Sequence, residues 1–583
     1  MSGIEVVDSA ALRAPATPAA RDDFTRIPRV AYFSMEIALR PEMPTYAGGL
    51  GVLAGDTVRS AADLDLPLVA VGLVSRAGYF RQEIDGSGEQ HEHPQSWDPA
   101  RWAVPLEAKI TVPIENRRVW VGGWLYVVEG QQGGRQPVIL LDTDLNENLP
   151  ADRTVTHTLY GGDEAYRLKQ EIVLGIGGVR MLHALGFEVR QYHMNEGHSA
   201  LLTLELLRRY AYPAADVRPG ESLYDVPRAR ALCNFTTHTP VEAGHDKFPY
   251  ELIERVLGEY VDFALLKSFA GRERLNMTSL ALSLSDYVNG VARRHAETSR
   301  QMFPGYRVRS ITNGVHPWTW TSPSFARLYN AHLPGWCHEP ELLGRADRLP
   351  DEEIWSAHAA AKDRLIALVK EKTGTVLAPE RPILGFARRM TGYKRPDLLF
   401  ADLPELRRIA AKHPFQVVLA GKAHPKDGDG KRLIRVLHDY MRDLAGAVPV
   451  VFLPDYDMAL ARDIVAGVDV WVNTPLRPLE ASGTSGMKAA FNGVPSLSVL
   501  DGWWVEGCIE GLTGWAVGAG EASGNGDDAR ALYQKLEQVV LPLYYGDARA
   551  AWIAVMKGAI SKNASYFNSH RMMRRYVTEA YLR

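Results

Sequence analysis

The sequence predicts an α/β protein with two Rossmann-like, doubly wound domains that face each other across a central cleft. Three observations lead to this prediction. The chain has 583 residues, which is too long for one compact core. Its second half alternates strand-like and helical patterns, as a parallel sheet with helices on both faces requires. Its first half contains a strand, a glycine-rich turn, a helix and a second strand in succession, which is the pattern of a βαβ unit.

The βαβ unit opens the first half of the chain. A strand-like run at 30–36 is followed by a glycine-rich loop, a helical pattern near 52–64 and a short apolar run at 66–74. The segment 119–142 is predicted to be an inserted β-hairpin, because its two apolar runs flank the turn GQQGGRQ. Helical periodicity predicts two further helices, at 164–185 and 198–209.

The second half is predicted to hold a parallel sheet. Its strand-like runs lie at 383–387, 416–420, 448–453, 469–473 and 496–500. Helical patterns separate these runs at 396–412, 431–445, 458–467 and 487–492. Three closing helices are predicted at 528–543, 547–561 and 564–582. Ligands of such sheets bind at the carboxyl ends of the strands, which places a site in the predicted cleft.

This pattern divides the chain into four predicted segments. Residues 1–29 are predicted to be a flexible N-terminal arm, rich in alanine and proline. Residues 30–316 are predicted to form the N-terminal Rossmann-like domain with its inserted hairpin. Residues 317–562 are predicted to form the C-terminal Rossmann-like domain, and 563–583 a terminal helix that could cross back to the N-terminal domain.

Composition excludes several classes of protein. Lys and Arg number 66 against 69 Asp and Glu, a net charge of −3, so no net positive field points to nucleic acid. Three widely spaced cysteines can build neither a disulfide framework nor a CxxC zinc site, and no metal is predicted. The N-terminus lacks the apolar core of a signal peptide, and no apolar stretch approaches the roughly 20 residues of a membrane span. A cytoplasmic protein without nucleic-acid or membrane partners is expected.

The segment 480–488, EASGTSGMK, is the first candidate site. Its glycines and small residues leave backbone N–H groups free, and the helix that follows adds the positive end of its dipole. This arrangement suits a phosphate dianion. Lys488, on the first turn of that helix, could neutralise phosphate oxygens or form a Schiff base with an aldehyde cofactor such as pyridoxal phosphate. The alternative is a flexible loop with a solvated lysine.

The segment 388–395, RRMTGYKR, is the second candidate site and directly follows a predicted strand. It places four cations within eight residues, at a strand end that points into the predicted cleft. Arginine forks match tetrahedral oxyanions. We therefore predict that this segment binds anions, with a solvated basic turn as the alternative.

Weaker signals lie in the first half. Gly49, Gly51 and Gly55 give a G-x-G-x-x-x-G pattern, one residue too long for a dinucleotide fingerprint, although these glycines can still offer N–H groups to an anion. Capping is a sufficient explanation for His198 at a helix start. His238, at the end of a strand, is of a kind that is more often structural than catalytic.

Together these segments resemble the α-glucan (glycogen, starch and maltodextrin) phosphorylases in their short form. This family consists of pyridoxal-phosphate-dependent retaining glucosyltransferases with two Rossmann-like domains of the GT-B type. The matching motifs run from YFSMEI at 32–37 to DGWWVEG at 501–507, most of the chain. EASGTSGMK is the most specific of them and is similar to the family's cofactor-lysine motif EASGTGNMK. RRMTGYKR corresponds to the family's KRxHEYKR segment.

The resemblance implies a cofactor site around Lys488, which would carry the Schiff base to pyridoxal 5'-phosphate. The other cofactor-binding residues would be Thr484, Ser485, Gly486, Lys394, Arg388, Trp320 and Tyr456. The catalytic residues would be Lys488, Arg389, Lys394, His238 and His198. The substrate-binding residues would be Gly48, Gly49, Leu50, His238, Asn313, Tyr393, Glu480, Ser482 and Gly483.

The resemblance also implies roles within this site. Arg389 would hold the substrate phosphate, while Lys394 would touch both the cofactor phosphate and the substrate phosphate. The N–H of Gly49 would face phosphate. His238 and Asn313 would bind the 6-hydroxyl of the transferred glucose. Its other hydroxyls would bind Glu480, Ser482, Gly483 and Tyr393.

Three departures from the family's pattern bear on phosphate orientation and acceptor preference. Val52 replaces the arginine that usually follows GGLG, Thr391-Gly392 replaces His-Glu, and Gly197 replaces the threonine beside His198. The chain is also too short for the regulatory sequence of the long members, so an unregulated short form is expected.

The expected activity is phosphorolysis of linear α-1,4-glucan or maltodextrin ends by inorganic phosphate, giving α-D-glucose 1-phosphate with retention. The partners would be the glucan, inorganic phosphate and glucose 1-phosphate, and a homodimer is possible. Two alternatives stay open. One is a nucleotide-sugar-dependent glucan synthase of the same fold, which would require a nucleotide sugar. The other is a non-catalytic, glucan-binding regulatory protein that has lost its cofactor.

Overall fold

The computed structural model describes residues 24–241, 244–518, 525–546 and 549–582. They form two large sheets surrounded by helices, so the predicted α/β class with parallel sheets is confirmed. The predicted N-terminal arm lies outside the described residues up to position 23. No helix in the described ranges is long and apolar enough to cross a membrane.

The first sheet contains the βαβ unit. Its strands, from one edge to the other, are Arg309–Ser310, Tyr287–Gly290, Cys233–Thr236, Val189–Asn195, Arg29–Phe33, Leu68–Leu73, Arg135–Asp142, Arg117–Glu129 and Val104–Pro105, with Ile110–Ile114 also paired to Arg117–Glu129. Neighbours are parallel from Arg309–Ser310 as far as Arg135–Asp142, and the remaining pairs are antiparallel. Two small hairpins pair Arg81–Ile84 with Gln90–His93 and Lys247–Pro249 with Arg274–Asn276.

The predicted hairpin at 119–142 is present, but it is not an insertion. Its second strand, Arg135–Asp142, pairs in parallel with Leu68–Leu73 and so continues the main sheet. All but the first residue of that strand are buried. A strand that is covered on both faces has a continuous apolar sequence, which is why the run PVILL is apolar.

The second sheet contains six parallel strands within the described residues. Their spatial order is Val450–Leu453, Gln416–Ala420, Ile383–Ala387, Val470–Asn473, Ser496–Val499 and Gly514–Val517. Counted along the chain this is the order 3-2-1-4-5-6 of dinucleotide-binding doubly wound sheets. The five predicted strands are all present. The sixth, Gly514–Val517, was not predicted, because its short GWAV run lacks a distinctive pattern.

Helices connect the strands throughout. In the first half they are Gly49–Asp63, Pro150–Arg153, Glu164–Ile172, Gly178–Ala184, Leu202–Arg209, Val226–Ala231, Tyr250–Val256, Phe263–Ala270, Met277–Ser283 and Arg293–Met302. In the second half they are Pro317–Trp320, Pro323–His332, Asp351–Thr373, Leu403–Lys412, Gly428–Asp443, Met458–Gly467, Ser485–Ala490, Trp504–Gly507, Asn525–Lys535, Leu541–Tyr545, Arg549–Gly558 and Ser569–Tyr576. A π-helical turn, Val173–Gly177, joins two of them into the single helix predicted at 164–185.

The helix predicted at 396–412 is wrong in its first part. The regular helix begins only at Leu403, where the Asp402 side chain accepts a hydrogen bond from Glu405 N. Before it, Arg395 has a left-handed conformation with φ of 46°, and Pro396 follows. A left-handed residue followed by proline interrupts the helical hydrogen-bond ladder, so the apolar periodicity of the segment was misleading.

The terminal helix Ser569–Tyr576 packs against the first sheet. The Tyr576 hydroxyl lies 3.2 Å from Thr236 Oγ1 and accepts a hydrogen bond from Asn289 Nδ2 at 3.1 Å. Farther along, the Tyr581 hydroxyl lies 2.6 Å from His193 Nδ1. These contacts reach three neighbouring strands, so the end of the described chain covers one face of the first sheet.

A buried cluster of Asp63, His316 and His570 joins three distant parts of the chain. Asp63 Oδ2 lies 2.7 Å from His316 Nε2 and 3.1 Å from His570 Nε2. Their potential ligand atoms all lie within 4.8 Å of one another. Thr319 N donates to His316 Nδ1, however, which leaves Nε2 as the protonated nitrogen that donates to Asp63. The donor pattern therefore favours a hydrogen-bonded clasp over a metal site.

Asp63→Asn is expected to lower the free energy of unfolding by about 2 kcal/mol at neutral pH, because it removes the charge from two buried hydrogen bonds. Burial by itself would raise the pKa of Asp63, but the hydrogen bonds from His316 and His570 hold it below its usual value. A carboxyl with a lowered folded-state pKa stabilises the fold above its unfolded pKa and loses that effect as the pH falls. The difference between wild type and variant should thus shrink in acid.

Urea unfolding at a series of pH values measures this difference. The exposed residue Asp65, just beyond the same helix, provides the matched control as Asp65→Asn. Equal stability of the Asp63 and Asp65 variants at neutral pH would contradict the clasp.

Candidate active site

The carboxyl ends of parallel strands present several of the predicted residues. In the second sheet, Arg388 directly follows the strand Ile383–Ala387. In the first sheet, Asn195 is the last residue of Val189–Asn195, and His238 lies just beyond the neighbouring strand. Doubly wound sheets bind their ligands at these strand ends, as the sequence predicted.

Glu480 is the centre of a buried ionic cluster. Lys394 Nζ contacts its two carboxylate oxygens at 2.7 and 2.6 Å, and Arg388 Nη2 contacts Oε2 at 2.6 Å. Arg388 Nη1 also donates to Asn473 Oδ1 at 2.9 Å. Burial would raise the pKa of Glu480, but the charges of Arg388 and Lys394 outweigh burial and lower it. Glu480 is therefore an anion that fixes two cations beside the 480–488 loop.

Lys488 is a buried amine in the helix Ser485–Ala490, with 8% of its surface exposed. Its Nζ lies 4.1 Å from the centroid of the Trp320 ring. No side chain within the described residues forms a hydrogen bond or an ion pair with that Nζ. Burial lowers the pKa of Lys488 to about 8. Roughly a tenth of the amine is then neutral at pH 7, and the neutral form is the nucleophile.

Glu36 shapes the glycine-rich loop of the first half. Its Oε2 accepts hydrogen bonds from Ala47 N at 2.6 Å and Gly48 N at 3.0 Å, and its Oε1 accepts one from the Tyr160 hydroxyl at 2.8 Å. A methyl group added at Gly48 or Gly49 would meet no atom within 4 Å. Glu36 thus fixes the backbone of this loop, and the space next to the Cα atoms of Gly48 and Gly49 is open.

His198 and His238 of the first half lie near the strand end at Asn195, and both are neutral at pH 7. His238 Nε2 lies 2.6 Å from Asn195 Oδ1, and its backbone N donates to Glu196 Oε2 at 2.7 Å. The His198 ring lies 5.7 Å from that of Tyr160. Burial lowers the pKa of each histidine to about 3. Neither imidazole can serve as a general acid at neutral pH.

Four of the predicted residues contain a buried polar atom that has no hydrogen-bond partner in the described part of the chain. These atoms are His198 Nδ1, Asn313 Oδ1, Arg388 Nε and Ser482 Oγ. Buried polar atoms are rarely left unpaired, because each one costs about 1–3 kcal/mol. A polar ligand that supplied partners to these atoms would remove that cost.

The remaining predicted residues surround these groups. Tyr393 places its ring centroid 4.5 Å from Lys394 Nζ, and Ser485 Oγ accepts a hydrogen bond from Trp471 Nε1 at 3.1 Å. Lys488 N donates to Thr484 O at 3.2 Å, Gly483 has a left-handed φ of 83°, and Gly486 packs against Trp503. Leu50 lies in the first turn of the helix Gly49–Asp63. Tyr456 is half-buried; burial raises the pKa of its hydroxyl, and the charge of Arg388 opposes that rise.

Arg389 differs from its neighbour, because its side chain is exposed. No described residue forms an ion pair with it. Burial raises the pKa of Tyr79, and the charges of both Arg389 and Glu36 also act on that hydroxyl. Tyr79 is thus close enough for charges of both the cationic segment of the second sheet and Glu36 of the first half to act on its hydroxyl.

The sequence did not single out Glu36, Tyr160, Asp56 or Asn473. Glu36 and Asn473 each lie at or just beyond a strand end, so the strand-end rule could have found them. Asp56 is fully buried in the helix Gly49–Asp63, where a charged residue on an apolar helix face was a usable signal. No local pattern distinguishes Tyr160.

The chain is similar to known proteins over most of its length. The family model described as carbohydrate phosphorylase matches residues 261–514. A maltodextrin phosphorylase of Thermococcus litoralis is 40% identical, over 95% of this chain and 70% of that protein. A glycogen phosphorylase of Aquifex aeolicus is 36% identical, over 95% of this chain and 86% of that protein. A glycogen phosphorylase of Mycobacterium tuberculosis is 35% identical, over 95% of this chain and 70% of that protein.

The similarity to these phosphorylases extends over 95% of the chain. The chain belongs to the carbohydrate phosphorylase family.

Proposed function

We propose that the chain is an α-1,4-glucan phosphorylase, which uses inorganic phosphate to release α-D-glucose 1-phosphate from the ends of linear α-1,4-glucans or maltodextrins. The observations that carry this proposal are the ionic cluster of Glu480, Arg388 and Lys394 and the buried amine of Lys488, which belongs to the same segment 480–488 as Glu480. A site with two fixed cations and a nearby exposed arginine is suited to bind phosphate groups.

The proposal includes a GT-B arrangement of two Rossmann-like domains. We place them at 30–316 and 317–562, with 1–29 as an arm and 563–583 as the terminal helix. The two sheets, each with its own apolar core, support this division. A homodimer also remains a prediction, which sedimentation would test.

The residues present fit pyridoxal 5'-phosphate. Lys488 offers a partly neutral buried amine to the aldehyde, and Trp320 offers an aromatic wall. Thr484, Ser485 and Gly486 would hold the cofactor phosphate with backbone N–H groups, assisted by Lys394 and Arg388, and Tyr456 would line the same pocket. When bound, the cofactor supplies a phosphate group that can exchange a proton with the substrate phosphate.

The residues of the chain itself would bind and orient the reactants. Arg389 and the N–H of Gly49 would hold inorganic phosphate, while Lys394 would lie between the two phosphates. His238 and Asn313 would bind the 6-hydroxyl of the glucose, and Asn313 Oδ1, which has no hydrogen-bond partner among the described residues, could accept from it. Ser482, Gly483 and Tyr393 would bind other hydroxyls, and His198 would complete the cleft.

A hydrolase mechanism fits this site less well. Glycosidases use two carboxyl groups that flank the bond, one of them protonated. Here Glu480 is held as an anion by two cations, and its pKa is lowered rather than raised. The site therefore favours transfer to phosphate, with positive charge balancing the charge that develops on the phosphate oxygens.

The test is to incubate the purified, cofactor-replete protein with maltodextrin and inorganic phosphate and to measure α-glucose 1-phosphate. We expect release that requires phosphate and no nucleotide. A parallel reaction with a nucleotide sugar and maltodextrin tests the synthase alternative through chain elongation. Elongation from the nucleotide sugar without phosphorolysis would overturn the proposal, and inactivity in both reactions with dextrins of several lengths would favour a glucan-binding protein.

A further inference from the structure

Asp56 is a fully buried carboxylate next to the Lys488 pocket. It belongs to the helix Gly49–Asp63 and has no measurable exposed surface. Its Oδ2 accepts a hydrogen bond from Trp320 Nε1 at 2.8 Å, and its Oδ1 lies 3.5 Å from Arg59 Nη1. Burying a carboxylate is costly unless it is paired, so an acid at this position calls for an explanation.

Hydrogen bonds fix both the indole ring and the backbone of Trp320. Asp56 binds its indole N–H, and Asn492 Nδ2 donates to its backbone carbonyl at 2.8 Å. Asn492 Nδ2 also donates to Lys488 O at 3.2 Å. One amide group thus ties the backbone of Trp320 to that of Lys488, while Asp56 fixes the orientation of the ring.

Lys488 lies over this fixed ring. Its Nζ is 4.1 Å from the ring centroid, which is within the range of a cation–π interaction. Within the described residues, Asp56 is the charged side chain that acts on the pKa of the Lys488 amine, and it opposes the effect of burial. The other charged groups around Asp56 are Arg59 and Arg462, and His316 also faces it.

We propose that Asp56 is a positioning residue for Lys488: its carboxylate holds the Trp320 ring beneath the amine and supplies the negative charge that faces the ammonium form. The proposal rests on the proposed function, because it concerns the lysine that would hold the cofactor. Among the described residues, Asp56 forms hydrogen bonds or ion pairs with Trp320 and Arg59 and none with Lys488. It acts through the ring and through its charge.

The two effects can be separated by substitution. Asp56→Asn keeps an oxygen for the indole N–H and removes the charge. Trp320→Phe keeps the charge and the aromatic ring but removes the indole donor. Since loss of a nearby negative charge disfavours an ammonium ion, Asp56→Asn should lower the pH at which the Lys488 amine becomes reactive. Trp320→Phe keeps the carboxylate charge, so it should shift that pH less than Asp56→Asn does and should slow the reaction through misorientation.

The measurement is the pH dependence of pyridoxal phosphate capture by the full-length chain freed of cofactor. The label left on Lys488 after borohydride reduction is quantified by mass spectrometry, without any glucan. For Asp56→Asn we expect the midpoint of the rate profile to move down by about half a pH unit or more. Asp65→Asn, which changes an exposed acid, serves as the control and should keep the wild-type midpoint.

Each outcome decides the proposal. An unchanged midpoint in Asp56→Asn, or a shift in Trp320→Phe alone, overturns it while leaving the proposed function intact. Failure of the wild type to capture the cofactor on Lys488 overturns both. If Asp56→Asn does not fold, as judged by circular dichroism, Asp56→Ser removes the same charge and gives the same test.

Discussion

Replacing Lys488 by alanine is expected to lower the rate of glucose 1-phosphate formation by about a thousandfold or more. The reason is that Lys488 offers the buried, partly neutral amine of the candidate site, and no other described lysine lies over the Trp320 ring. Without that amine the cofactor has no covalent anchor and its phosphate is no longer fixed beside Lys394. The variant should also lack the near-ultraviolet absorption of bound pyridoxal phosphate.

Rates are measured as phosphorolysis of maltodextrin, both without added cofactor and with cofactor in excess. Lys372→Ala is the matched control, since Lys372 is exposed in the last turn of the helix Asp351–Thr373. It should keep wild-type activity and cofactor content. Full activity of Lys488→Ala without added cofactor would show that the amine has no part in the reaction.

Arg389→Ala is expected to raise the KM for inorganic phosphate by about a hundredfold, with a smaller effect on the KM for maltodextrin. Arg389 is the exposed cation of the segment, and no described residue forms an ion pair with it, whereas Arg388 and Lys394 are tied to Glu480. An unpaired guanidinium is free to bind phosphate through two parallel hydrogen bonds, worth about 1.5–3 kcal/mol each.

The measurement varies phosphate at saturating maltodextrin and then reverses the two. Arg389→Lys should recover part of the loss, because it restores the charge but not the fork. Arg272→Ala, at an exposed position in the first half, controls for the loss of one surface charge. Equal changes in both KM values would indicate a general disturbance of the cleft rather than a lost phosphate contact.

Much of this architecture could be predicted from the sequence. The predicted strands of the second half alternate with helices and are mostly apolar, so their positions and their parallel pairing followed from pattern alone. The strand-end rule then placed Arg388 and His238 correctly at carboxyl ends. The hairpin at 119–142 was placed correctly, but its role as the edge of the main sheet depends on pairing with Leu68–Leu73, which no local pattern encodes.

The connections within the site were harder to predict. That Glu480 lies between Arg388 and Lys394 depends on residues 86 and 92 positions apart in the chain, so it could not follow from either motif. The same is true of Asp56 and Trp320, which are separated by 264 positions. Motifs showed which residue types carry the chemistry, whereas the partners that fix their charge and orientation came only from the fold.

The packing of the terminal helix on the first sheet has a consequence for the order of folding. Tyr576 contacts Asn289, which precedes it by 287 residues, and the whole second sheet lies between them in the chain. During synthesis, one apolar face of the first sheet therefore stays exposed until the ribosome has also made the second sheet and the terminal helix. Contacts of such long range are slow to form, and the exposed face is open to aggregation in the meantime. Chaperone dependence during translation should consequently be concentrated in the first half of the chain.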